Sequence, residues 1–277
     1  MRVIVWWLTL ALATVSTELD QAWRCLDHGD ARSAAEALEA APPPAANDAD
    51  RASWLDARAR IAWARGEMDR AFALGIESVV VGERTGRQAP AMTPAIAPGR
   101  PWIDEATGLP RLLLPTGDGD GPALARELLA LPESGTPEGA WILWAARLLD
   151  EKVPAPEAAR ANRATGSRRQ SLLQAAAEAR RGSNRSRNAI IAALRGVARE
   201  GSGLEPFVRW FEAEAVAREG PGPEVRLAAL RMVQAAAAAD DNAWLRVRAL
   251  ERAATLLDPV DAPEAARLRE AARKETP

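Results

Sequence analysis

The stretches LDQAWRCLDHGDARSAAEAL (residues 19–38) and LDARARIAWARGEMDRAFAL (residues 55–74) carry the same spacing of small residues. Ala22, Gly29 and Ala34 of the first correspond to Ala59, Gly66 and Ala71 of the second. In each stretch the Gly lies between two helical patterns, and an acid follows it, Asp30 or Glu67, suited to cap the second helix. A small residue on each helix lets two backbones approach closely, and the Gly permits a sharp turn between them. The pattern predicts a helical hairpin that occurs twice, and a repeat of this kind decides the architecture before other signals do.

Outward from these stretches, helical patterns run over 18–28, 31–41, 49–65 and 67–81, with the joint Ala41 to Asn47 (APPPAAN) breaking the ladder between hairpins. From Gly82 to Pro122 the texture changes, and Gly and Pro recur every few residues. A long stretch without helical pattern reads as an insertion or linker. Within it, Trp102-Ile103 and Arg111 to Leu114 flank DEATGLP, which could close a small hairpin through Gly108. Helical patterns return at 122–131, 137–151, 155–165, 167–181 and 184–199, and four more follow to the C-terminus. Among these, Phe207, Trp210, Phe211 and Ala215 form one apolar stripe, and Leu227, Leu230, Met232 and Val233 another. The expected organisation is an N-terminal segment (1–16), two helical hairpins (17–81), a Pro/Gly-rich insertion (82–121) and a helical-repeat region (122–277).

The bulk properties agree with an all-α protein. Ala dominates, Leu, Arg and Glu follow, and ten Trp stand against no Tyr in 277 residues. The net charge of −2 points neither to a nucleic-acid protein nor to an acidic tail protein. One Cys, Cys25, excludes an intramolecular disulfide framework. At the N-terminus Arg2 precedes a segment, Val3 to Val15, that is apolar apart from Thr9 and Thr14, and small residues follow it. This reads as an export signal cut near Ser16, since the run is shorter than the roughly 20 residues that span a bilayer. The expected location is periplasmic or secreted; left uncut, the same segment would anchor the chain in the inner membrane.

The paired Ala–Gly–Ala spacing, the acid after each Gly and the helix–turn–helix length resemble tetratricopeptide repeats. Two copies match within residues 18–81, and a third, around Ala213 and Gly220, matches in part because Gly-Pro-Gly-Pro lengthens its turn. The aromatic positions of the family's first helix are replaced by Cys25 and Ala62. The resemblance implies an antiparallel helix-hairpin solenoid whose first helices line a groove for peptides or proteins. Groove positions would then fall on Leu19, Trp23 and Leu26 in copy one and on Asp56, Arg60 and Trp63 in copy two. Trp23, Leu26, Arg60 and Trp63 are the candidate partner-binding residues, an aromatic beside a planar cation being a good docking surface. The plainer reading is that the tryptophans pack against adjacent helices.

Little in the chain suggests catalysis. Cys25 and His28 lie three apart on one helix, but no second Cys or His completes a metal set, and as a nucleophile pair they lack an evident orienting residue. Glu133-Ser134 resembles the Glu–Ser dipeptide of lytic transglycosylases, yet it sits in the turn LPESGTPEG without the downstream motif. Asp118 and Asp120 give half of a calcium loop. Neither a catalytic residue, a metal nor a cofactor is expected. Arg160 to Arg195 is different: nine Arg stand there against one acid, Glu178. Arg168, Arg169, Arg180, Arg181, Arg185 and Arg187 surround two turns and are the candidate anion-binding residues, for an anionic envelope component or an acidic protein ahead of nucleic acid. A solvated charged face is the plainer reading. The expected function is a noncatalytic protein-interaction scaffold of the cell envelope. Its rival is an envelope enzyme, or an enzyme accessory, that cleaves glycan or peptide with a pair of carboxylates.

Overall fold

The computed structural model of the chain describes residues 17–40, 43–45, 50–85, 119–156, 168–197, 204–218, 222–239 and 243–275. These residues are helical or in short turns, with no strand among them. They form two compact units, one holding the described residues up to Glu133 and the other those from Ser134 onward. The expected hairpin through Gly108, the helix at 155–165 beyond Pro156, and the N-terminal segment before Thr17 lie outside the described residues.

In the first unit, α1 covers 17–27, α2 Ala31–Glu39, α3 Arg51–Ala64, α4 Met68–Thr85 and α5 Gly121–Leu129. The two predicted hairpins are both present, and their turns are built alike. Gly29 and Gly66 have φ of 77° and 76°, the left-handed region that a Cβ disfavours. The next residue's N–H reaches back to the helix end, Asp30 to the Cys25 carbonyl and Glu67 to the Ala62 carbonyl, each at 2.9 Å. The glycine N–H closes a shorter loop, three residues back instead of five, Gly29 to Leu26 at 3.0 Å and Gly66 to Trp63 at 2.9 Å. This pair of bonds is the Schellman ending, which satisfies the orphan carbonyls of α1 and α3. Asp30 then caps α2 by accepting the Ser33 N–H at 2.9 Å.

The small residues lie where the spacing puts them: Ala22, Ala34, Ala59 and Ala71 are each 1 % exposed or less. Trp23, Leu26, Leu38, Trp54, Leu55 and Ile61 complete the core around the first of them. The antiparallel register of α3 and α4 is pinned by the Ser78 hydroxyl donating to the Ala52 carbonyl at 2.8 Å and by an Arg51–Glu77 ion pair at 3.2 Å. One boundary differs from expectation. Helix α4 continues through Gly82 to Thr85, because Gly82 is buried inside it and the Thr85 hydroxyl bonds back to the Val81 carbonyl at 2.9 Å.

In the second unit, α6 covers Ala140–Leu149, α7 Arg168–Arg181, α8 Arg187–Val197, α9 Glu205–Ala217, α10 Pro223–Ala238, α11 Ala243–Leu257 and α12 Ala262–Glu275. Each packs on its neighbour in sequence, and α9 also touches α7. The stripe Phe207, Trp210, Phe211 and Ala215 is buried as expected. The second stripe divides: Met232 is buried, but Leu227 and Leu230 are 37 % and 53 % exposed. The buried face of α10 is instead Val225, Ala228, Ala229, Met232, Ala235 and Ala236, at helical spacing. Between closely approaching helices the small side chain goes inside and the larger one stays out.

Candidate functional site

The four partner-binding candidates come to different environments. Trp23, Leu26 and Arg60 are buried, at 6 %, 9 % and 3 % exposure, while Trp63 is half-buried. The structure does bring an aromatic beside a planar cation: the Arg60 guanidinium carbon lies 4.5 Å from the Trp23 ring centroid. That stack is inside the unit. The Trp23 indole N–H donates to the Ser53 hydroxyl at 3.0 Å, and Arg60 pairs with buried Asp56, 3.5 Å away on the same helix. Burial pushes the Arg60 pKa down, while the charges of Asp56 and Asp27 oppose the shift. Trp23, Leu26 and Arg60 therefore pack in the core, and only Trp63 of the four offers surface to a peptide.

The arginine section is drawn inward more than its charge count implies. Arg181, on α7, donates to the Leu148 and Leu149 carbonyls at 2.9 and 3.2 Å, where α6 ends with unpaired carbonyls and the negative pole of its dipole. Arg218, at the end of α9, does the same for α7 through the Glu178 carbonyl at 3.2 Å, and Arg246 for α10 through Ala239 at 2.8 Å. Arg185 meets buried Glu178 at 2.9 Å, and Arg187 pairs with Glu224 at 3.6 Å. Arg169 lies over Trp141 at 4.7 Å and Arg180 over Phe211 at 5.0 Å. Arg168 is exposed. Glu178 is therefore not the only group that answers this charge: helix ends, ring faces, Glu151 and Glu224 of α10 share it.

Two clusters escaped the sequence reading. Glu212, 4 % exposed on α9, accepts from Arg195 at 2.5 and 3.1 Å and also pairs with Arg231, so one carboxylate joins α8, α9 and α10. The bond to Glu212 raises the Arg195 pKa. In the first unit, Trp54 carries two guanidinium groups, Arg51 at 4.8 Å and Arg58 at 4.6 Å from its ring centroid. The i, i+3, i+7 spacing of Arg51, Trp54 and Arg58 was the signal available for the second cluster.

The residues considered for chemistry have local roles. Asp120 caps α5 by accepting the Ala123 N–H at 3.2 Å, whereas Asp118 lies outside the described residues. Glu133 sits in a 3-10 turn, Pro132–Gly135, and pairs with Arg84 at 3.5 Å. The His28 ring nitrogen Nδ1 lies 2.7 Å from the Arg24 carbonyl, and Cys25 is half-buried. Among the described residues, no group of three or more His, Cys, Asp or Glu is placed to hold a metal ion. No helix among them is long and apolar enough to cross a membrane. No family model, curated protein or solved structure matches the chain.

Proposed function

We propose that the chain is an exported, noncatalytic interaction scaffold of the cell envelope, its hairpins stacked as a tetratricopeptide-like α-solenoid. The observation that supports this reading is the repeated turn. Two hairpins with equivalent glycines, equivalent hydrogen bonds and equivalent buried alanines are the unit from which helical repeat proteins build extended surface. In this reading Trp63 is the groove residue that a protein or peptide partner meets, and Trp23, Leu26 and Arg60 hold the hairpins beneath the surface. Arg168 and the outward parts of Arg185 and Arg187 are the places for an anionic envelope component.

The test is affinity purification from native envelope, with wild type and Trp63→Ala side by side and N-terminal sequencing of both. The expected result is a mature chain beginning near Thr17 and a co-purifying protein retained by wild type and lost from the variant. An intact Met1 in a cytoplasmic fraction would overturn export. Hydrolysis of envelope glycan or peptide by the purified chain would overturn the noncatalytic reading.

A further inference from the structure

The register of the α3–α4 hairpin has an electrostatic cost at one level. With Arg51 held against Glu77 and Ser78 against Ala52, the same antiparallel alignment sets Arg58 level with Arg70. Two arginines side by side repel, and the Arg58 pKa is lowered first by burial and then by the charges of Arg70 and Arg51. Two of the surrounding acids are paired elsewhere and a third is distant. Glu77 takes Arg51 at 3.2 Å and Glu67 takes Arg70 at 3.5 Å, while Glu127 on α5 acts on Arg58 only from beyond ion-pair reach. Among the described residues Arg58 has the Trp54 ring and no carboxylate. The Trp54 indole N–H is likewise buried without an acceptor among them.

We infer that Arg58 and Arg70, beside the Trp54 ring, form a binding site for one carboxylate supplied from outside the chain. Arg51 and Arg70 each pair with a glutamate, whereas Arg58 makes no ion pair among the described residues and feels Glu77 and Glu127 only at longer range. A carboxylate presents two oxygens to a planar guanidinium, and a second cation beside it favours the same position. Half-buried Arg58 is partly shielded from water, which strengthens the attraction, while exposed Arg70 leaves an open side for entry. The site does not depend on the scaffold reading, since a free dicarboxylate and an acidic side chain of a partner protein bring the same group.

The full chain labelled with 15N-arginine allows a direct test, because each Nε–H gives its own NMR signal. The Arg58 and Arg70 signals are identified by their loss in Arg58→Lys and Arg70→Lys. Glutarate and N-acetyl-hexaglutamate amide are the two probes, with chloride at matched ionic strength as control. Saturable shifts of both signals are expected. Saturation by glutarate marks a free acid as ligand; saturation by the peptide alone marks an acidic protein segment. Arg70→Gln, at an exposed position, should weaken binding about tenfold without changing the helical signal. Shifts equal to those in chloride, or binding unchanged in both Arg58→Gln and Arg70→Gln, would overturn the site.

Discussion

Arg60 is a charged side chain buried by two contacts made at once, the Trp23 ring above it and Asp56 beside it. Removing a single member of a buried ion pair leaves the other charge uncompensated, so Arg60→Ala should cost about 3–5 kcal/mol in urea unfolding. The double change Arg60→Met with Asp56→Leu removes both charges and keeps the volume, and it should come out near neutral or more stable. If the double variant is as damaged as the single one, the pair does more than fill its place. Asp30 gives a pH-dependent counterpart. Its hydrogen bonds to Ser33 hold its pKa below the ordinary value of 3.8. A depressed carboxylate pKa contributes stability above the ordinary value, and that contribution is lost as pH falls through the folded value. Asp30→Ala should therefore be less stable than wild type at neutral pH, and the two should converge in acid below about pH 3.8. A gap that persists at pH 2 would assign the effect to something other than the charged cap.

The hairpin turns isolate the cost of backbone conformation. A Cβ added at Gly29 meets nothing within 4 Å, so Gly29→Ala carries only the cost of positive φ. That cost is about 1–2 kcal/mol, and Gly29→Asn should lose less because Asn tolerates the left-handed region. Equal losses for the two would mean that the turn is not held in this conformation. The contact between helices answers to volume instead. Ala71 is 1 % exposed, and Ala71→Leu should overpack the interface by about 1–3 kcal/mol, whereas exposed Arg65→Leu should leave thermal unfolding nearly unchanged. These two features were legible in the sequence for the same reason: a turn glycine and a close-approach alanine are fixed by local backbone geometry. The Trp23–Arg60 stack was legible only as a kind of pair. Its burial depends on how α3 crosses α1, a relation between residues far apart in the chain. On α10, apolar bulk misled, because the buried face there is mostly alanine, with Val225 and Met232, and Leu227 and Leu230 are exposed.

Across the whole molecule, arginine is the residue whose role changes most between sequence and fold. Counted along the chain, Arg180, Arg181, Arg185 and Arg187 are surplus charge; in the folded unit they close a helix end, cover a ring and meet Glu178 and Glu224. Replacing all four with Gln should therefore lower the thermal midpoint and weaken helical circular dichroism near it, while Arg168→Gln alone should do neither. A fourfold variant that melts like wild type would return the group to the solvent-facing role. Arg218 and Arg246 extend the same habit to other helix ends, and Arg195 and Arg231 to a shared carboxylate. The equivalence of the Gly29 and Gly66 turns reaches further than stability. Each hairpin closes with its own bonds, whereas the first is seated on the second by the Trp23 indole on Ser53 and the Arg60 guanidinium over the Trp23 ring. Copying one hairpin in the gene would therefore carry its turn along intact, but the copy would need its own tryptophan and arginine to seat against the next hairpin.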